Sequence, residues 1–239
     1  ADSLQESDLG VRTKRIVDAI VEIARADGST LPESEIAKRA TEALSLVSLK
    51  AKQPPAKKKS PGDSDAATEP KGFGVTDYLV FYSRAQIARL AELVASGAKL
   101  TKSEVANALE SQHGIEVALF GRMVADNKDL SVDASVQVAH ALSTHAVDDE
   151  SDYFTAVDDR GRDDDMGADM LGTIEFNSST LYRYATINVA GLSHNLEGHV
   201  EDVTRAVEAF VRDFSRSMPT GKQNTFANRT VPDVVAVMV

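Results

Sequence analysis

The sequence predicts an α+β protein, with helices in its first third and a ferredoxin-like second half. Three observations lead there. Apolar residues recur at three- and four-residue steps through the first 47 positions, the spacing of helices buried on one face. Leu181 to Val189 reads as a strand, with Leu181, Arg183, Ala185, Ile187 and Val189 on one side and Tyr182, Tyr184, Thr186 and Asn188 on the other. From Val132 onward the elements read helix, strand, strand, helix, strand. One strand placed upstream, beyond Ala1 or displaced by the helical stretch, completes the order βαββαβ.

Taken in order, Leu9, Ile16, Ile20, Ile23 and Ala24 share one helical face, and Asp27-Gly28 ends that run. Pro32 opens a second helix through Ile36, Ala40, Leu44 and Val47, with Glu33 and Glu35 near its positive end. Positions 50–76 read as a flexible loop, because Lys50–Lys71 is rich in Lys, Pro and Ser and nearly free of large apolar residues. Tyr78–Tyr82 is short enough for a strand or a buried helix. Ser83 caps a helix carrying Ile87, Leu90 and Val94 that Gly97 closes, and a short helix spans about Lys102–Gly114.

Val117–Phe120 is apolar and precedes a Gly121-Arg122-Met123 loop. Val132–His145, apolar on several faces, reads as a largely buried helix. Tyr153–Val157 and Gly172–Phe176 read as strands, and Asn177–Thr180 is short enough to join the second of them to Leu181–Val189 in a hairpin. Leu192, Leu196, Val200, Val203, Val207, Phe210, Phe214 and Met218 define one long helix stopped by Pro219. Val234–Val239 reads as a buried-type strand that ends without a turn signal. With Ala1 rather than Met at the start, this predicts a fragment of something longer.

Composition excludes several chemistries. The 239 residues contain no cysteine, which removes disulfides, thiolate catalysis and the commonest structural zinc ligand. No apolar run approaches the ~20 residues of a membrane helix, so a soluble, cytoplasmic protein without membrane contact is expected. The net charge of −11 is unevenly spread: Asp148–Asp169 holds ten acids against two arginines, leaving −3 for the rest. Screening over about 8–10 Å confines such a tip's influence, so bulk charge does not exclude a nucleic-acid partner.

Asp163-Asp164-Asp165 lacks the Gly and terminal Glu of a calcium loop, and the five histidines form no metal set. No cofactor, catalytic residue or metal ligand is assigned. Two rival readings remain: a metal-dependent hydrolase using the acidic 158–169 cluster, and a protein-interaction module built on the long apolar helices, without RNA binding.

Three stretches are specific: Ala118-Leu-Phe-Gly-Arg-Met-Val124; Val132-Asp-Ala-Ser-Val-Gln-Val-Ala-His-Ala-Leu-Ser-Thr-His145 running into Asp152-Tyr-Phe-Thr-Ala-Val-Asp-Asp159; and Gly172-Thr-Ile-Glu-Phe-Asn-Ser-Ser-Thr-Leu-Tyr-Arg-Tyr-Ala-Thr-Ile-Asn-Val189. With Met218-Pro-Thr-Gly-Lys-Gln-Asn-Thr-Phe-Ala-Asn228 they closely resemble the CasC family, the backbone subunit of the type I-E CRISPR surveillance complex Cascade. The resemblance is detailed from about Ala118 to Val239 and general before that.

It implies a non-enzymatic, hand-shaped protein with an RRM-like palm, helical fingers and a β-hairpin thumb. Residues 1–131 would be mostly fingers, 132–239 palm, and about 148–171 thumb. Copies would stack along CRISPR RNA beside other Cascade subunits, displacing bases at intervals and presenting the guide to target DNA in antiviral defence. The family also has an N-terminal strand, a basic RNA-touching helix and further C-terminal sequence. This chain lacks them, which implies a member without part of its RNA platform.

By that likeness Phe154, Thr155 and Val157 wedge beside a displaced nucleotide, and Met123 and Arg122 lie against the RNA from the other side. An apolar wedge holds an unstacked base at a cost of a few kcal/mol, offset by backbone contacts. Lys222 can neutralise a phosphate, and Gln223 or Asn224 can bond sugar or base edges, with Arg229 nearby. Gly221-Lys222 lacks the spacing of a nucleotide-hydrolysing phosphate loop and follows its helix rather than preceding it. Lys57, Lys58 and Lys59 are weaker candidates for target DNA, and Tyr182 and Tyr184 are expected to pack across strands rather than stack on bases.

Overall fold

The computed structural model describes residues 4–5, 8–52, 72–157 and 168–239, less the side chains of 157, 168 and 169. The chain divides into two compact units, one formed by Ala1–Val136 with Ile187–Val239 and the other by Gln137–Thr186. The described strands pair two by two and antiparallel where their register is defined.

In the first unit, β1 (Gly10–Thr13) pairs with β4 (Val80–Ser83), and β2 (Ala51–Lys52) pairs with β3 (Val75–Thr76). Helices α1 (Ile16–Ala26), α2 (Glu33–Leu46), α3 (Arg84–Ala95) and α4 (Lys102–Leu109) share one core with these strands. α1 buries Ile16, Val17, Ile20, Val21 and Ala24, the stripe expected from its periodicity, and packs on α2 and α3. Leu9 lies ahead of β1, outside that helix.

Pro32 precedes α2 with φ −59°, and Ser83 caps α3 as expected. The Ser83 hydroxyl accepts from the Gln86 amide while the Gln86 side chain accepts from the Ser83 amide, so two orphan donors of the first turn are satisfied reciprocally. Thr101 and Glu104 build the same box at the start of α4. Tyr78–Tyr82 resolves as strand β4.

Gln86 is fully buried. Its two amide hydrogens are shared among Leu109 O at 2.7 Å, Ser111 O at 3.0 Å and His113 Nδ1 at 3.1 Å, which ties α3 to the end of α4. Burial, reinforced by the Arg122 charge, pushes His113 down to about 4. In the unfolded chain that ring takes its proton at the ordinary 6.5, so the folded state holds fewer protons between the two values. The stabilisation is complete above 6.5 and is lost as pH falls toward 4. The melting temperature is expected to drop between about pH 7.5 and pH 5, and His113→Gln to flatten that slope. Equal slopes for the two proteins would remove His113 from the account.

A second core in the same unit joins α5 (Ile115–Phe120), α6 (Val189–Asn195) and α7 (Val200–Arg216) through Ala118, Leu119, Leu192, Leu196, Val203 and Ala206. One long helix was expected here, but Glu197 in the left-handed region at φ 57° breaks it into α6 and α7. The Gly198 amide then bonds Ser193 O at 2.8 Å, closing α6. α7 ends at Arg216, two residues short of Met218 and ahead of Pro219.

Further expectations are corrected. Val132–His145 is not a helix; it is extended chain containing β5 (Val136–Val138) and β6 (Leu142–Ser143). Its apolar residues at 132, 134, 136 and 138 step by two, and valines favour the pleated surface. The order βαββαβ therefore loses its first helix at that position. Leu181–Val189 is likewise split, into β9 (Leu181–Tyr182), which pairs with β6, and β10 (Ala185–Ile187), which pairs with β5. Val189 already begins α6. Val234–Val239 forms no strand, and its exposed valines pair with nothing among the described residues.

In the second unit, β7 (Glu150–Val157) pairs with β8 (Ala168–Phe176) over eight register positions, from Glu150↔Phe176 to Val157↔Ala168. β8 was expected to pair with the strand after it. It joins the strand before it because that partner supplies a long ladder, whereas β9 offers two residues already committed to β6. Of the loop expected over 50–76, positions 53–71 lie outside the described residues, and its flanks are strands β2 and β3.

Candidate nucleic-acid interface

Gly121 ends α5 at φ +76°, where a Cβ would meet Val132 O at 2.7 Å and Ala134 N at 2.8 Å. Only glycine fits both that conformation and that approach. The chain then pairs Arg122 with Val132 through two backbone hydrogen bonds, Arg122 N to Val132 O at 2.9 Å and the reverse at 2.8 Å.

The Arg122 guanidinium turns inward. Nε and Nη2 donate to Leu130 O at 3.2 and 2.8 Å, and Nη1 donates to Phe81 O at 3.0 Å. Its Cζ lies over the Tyr82 ring, 4.4 Å from the centroid. Burial pushes the guanidinium below its ordinary value, with the Tyr82 phenol acting the other way. Burial likewise pushes Tyr82 up to about 12 against the pull of Arg122, and its hydroxyl has no hydrogen-bond partner among the described residues. Arg122 thus stitches the turn, while Met123 beside it is 87% exposed. A methionine chosen to fill the core would be buried, so Met123 is not core filler.

The Lys222–Arg229 segment follows α7 in the same unit. Lys222 is left-handed at φ 58° and precedes the short α8 (Gln223–Phe226). Arg229 Nη2 donates to Gln223 Oε1 at 2.8 Å, so those two side chains are paired, while Lys222 and Asn224 are exposed.

On the β7–β8 hairpin, directly opposed residues share a face. Phe154 shares one with Gly172, Asp152, Ile174, Ala156 and Met170, whereas Thr155 shares the other with Tyr153, Leu171 and Thr173. Phe154 and Thr155 therefore project from opposite sides of a two-stranded ribbon. Tyr153 is 74% exposed, and Met170 and Leu171 are exposed as well. None of these three is among the RNA contacts that the family likeness implies. The alternation of β7 and β8 would have found them had the two strands been paired. The Val157 side chain, Lys57–Lys59 and Asp158–Asp165 lie outside the described residues. Tyr182 and Tyr184 are exposed, so packing across strands covers only part of each.

Among the described residues no group of three His, Asp or Glu side chains is arranged to hold a metal ion. No described helix is long and apolar enough to cross a membrane.

The family described as CT1975-like protein (Cas_CT1975) matches residues 1–239. The chain belongs to this family. Its match places the chain among CRISPR-associated proteins related to Cascade surveillance-complex subunits. A chain of a solved structure titled "CRISPR RNA-guided surveillance complex, pre-nicking" is 31% identical with a TM-score of 0.68. That match covers 95% of this chain and 62% of the other, so the present sequence spans about three fifths of the length of that relative. A chain of a "CRISPR RNA-guided surveillance complex" is 41% identical over 50% of this chain and 45% of its own, with a TM-score of 0.46. No curated protein matches the chain.

Proposed function

We propose that this family member is the non-catalytic backbone subunit of a Cascade-type surveillance complex, of the CasC kind in type I-E systems. It assembles in copies along CRISPR RNA in the cytoplasm and presents the guide to target DNA. One observation carries the reading: over 95% of its length the chain is similar, at 31% identity and a TM-score of 0.68, to a chain of an RNA-guided surveillance complex. The two-faced apolar hairpin supports it, since exposed Tyr153, Phe154, Met170 and Leu171 suit a ribbon inserted between other molecules.

In this reading the hairpin is the thumb, the rest of 132–239 is the RRM-like palm, and residues 1–131 are mostly the helical fingers. Phe154, Thr155 and Val157 wedge beside a displaced base. Met123 contacts RNA from its turn, and Arg122 acts there by holding that turn. Lys222, Gln223, Asn224 and Arg229 bind backbone or base edges, and Lys57, Lys58 and Lys59 reach target DNA. Other copies and other Cascade subunits complete the assembly.

The test is co-expression with CRISPR RNAs of graded spacer length, followed by size-exclusion chromatography with light scattering. Bound mass rising in protomer-sized steps is the expected result, and an RNA-free monomer at every spacer length overturns the proposal. In the assembled complex, Lys222→Gln is expected to reduce the log–log salt slope of RNA affinity by about 0.7, the contribution of one phosphate contact on a single strand. Met123→Ala is expected to weaken RNA binding with less than about 0.5 kcal/mol of lost stability, because so exposed a side chain packs against little. An unchanged slope or affinity removes that residue from the interface.

A further inference from the structure

We infer that Gly172 is the positioning residue of Phe154: its missing side chain is what lets the aromatic ring lie down across β8. The two residues stand directly opposite each other in the hairpin register. A Cβ placed on Gly172 would collide with Phe154 Cζ and come within 2.6 Å of Cε1 and 3.1 Å of Cε2. The atoms in the way form the far half of the ring, so the ring reaches over the glycine backbone rather than standing away from the sheet. Glycine inside a strand weakens it and marks a close approach, and an aromatic laid across it covers the bared backbone. Exposure agrees. Phe154 is 45% exposed where its neighbour Tyr153, on the opposite face, is 74% exposed.

The consequence is directional. One ring face is occupied by Gly172 and the other is presented outward, parallel to the ribbon, as a platform for a flat apolar group such as a nucleobase. Any larger residue at 172 forces Phe154 into another rotamer and turns that platform edge-on. The ring placement follows from the hairpin alone, and its use on RNA rests on the reading proposed above.

Two measurements separate those parts. In the protein without RNA, the Gly172 Hα that stands where a Cβ would be lies against the ring face and is expected to resonate upfield, a shift that Phe154→Leu abolishes. No such shift, or one that survives Phe154→Leu, overturns the inference whether or not any position-172 variant folds. In the RNA-bound complex, 2-aminopurine placed successively along the spacer is expected to brighten at the displaced positions. Gly172→Ala is expected to lower that signal to the level of Phe154→Ala, and Phe154→Ala/Gly172→Ala to lower it no further. RNA affinity of Gly172→Ala is expected to fall no further than that of Phe154→Ala, the remaining affinity coming from phosphate contacts. A Gly172→Ala complex with undiminished fluorescence overturns the positioning role, as does additive loss in the double variant. An upfield Gly172 with no brightening in the parent complex overturns the RNA reading instead.

Discussion

Arg122→Ala is expected to lower the free energy of unfolding by about 3 kcal/mol, despite altering a residue beside an exposed turn. The guanidinium holds Leu130 O through two donors and Phe81 O through a third, and it covers the Tyr82 ring. Charged hydrogen bonds contribute about 1.5–3 kcal/mol each, and carbonyls left unpaired add to the loss. The side chain is half-buried, so the lower part of that range applies. Arg122→Lys is expected to recover little, because an ammonium cannot bridge Leu130 and Phe81 as the planar fork does. Urea unfolding of the two variants checks this. If Arg122→Ala leaves stability intact while weakening RNA binding, Arg122 contacts RNA directly and does not serve as the brace of Met123.

Gln86→Leu is expected to cost about 3–5 kcal/mol although volume is nearly conserved. The substitution removes the acceptor of the Ser83 amide and the donor to Leu109 O and Ser111 O, all at a fully buried position. Each buried group left without a partner costs about 1–3 kcal/mol. Leucine also breaks the box that starts α3, so loss of helix should accompany loss of tertiary structure. A Gln86→Leu protein that melts within about 0.5 kcal/mol of the parent would show that the amide adds nothing beyond its volume. Gln86→Glu should be worse at neutral pH, since it brings an anion to two carbonyls.

The two residues were not equally visible in the sequence. Gln86 stands three positions after Ser83, so its part in the capping box follows from local spacing, whereas its bonds to Leu109 and Ser111 do not. Arg122 was visible only as a cation beside a glycine and a methionine. Nothing local says that carbonyls 8 and 41 positions away would claim it. The wedge residues show a similar division. Phe154 and Thr155 were legible as one motif, but their separation onto opposite faces follows from the pairing of β7 with β8.

What the sequence by itself determined is what neighbours within about four residues decide. The buried stripes of α1 and α2, the cap at Ser83 and the stop before Pro219 all rest on such contacts, as does the family likeness carried by contiguous motifs. Only the tertiary structure decided which strands pair, where α6 breaks from α7, and that Arg122 turns inward while Met123 turns out. The physical reason is the same throughout. An unpaired strand edge or carbonyl takes whichever partner the folded chain brings within hydrogen-bond distance, and that partner lies beyond the reach of local spacing, as Leu130 and Phe81 do for Arg122.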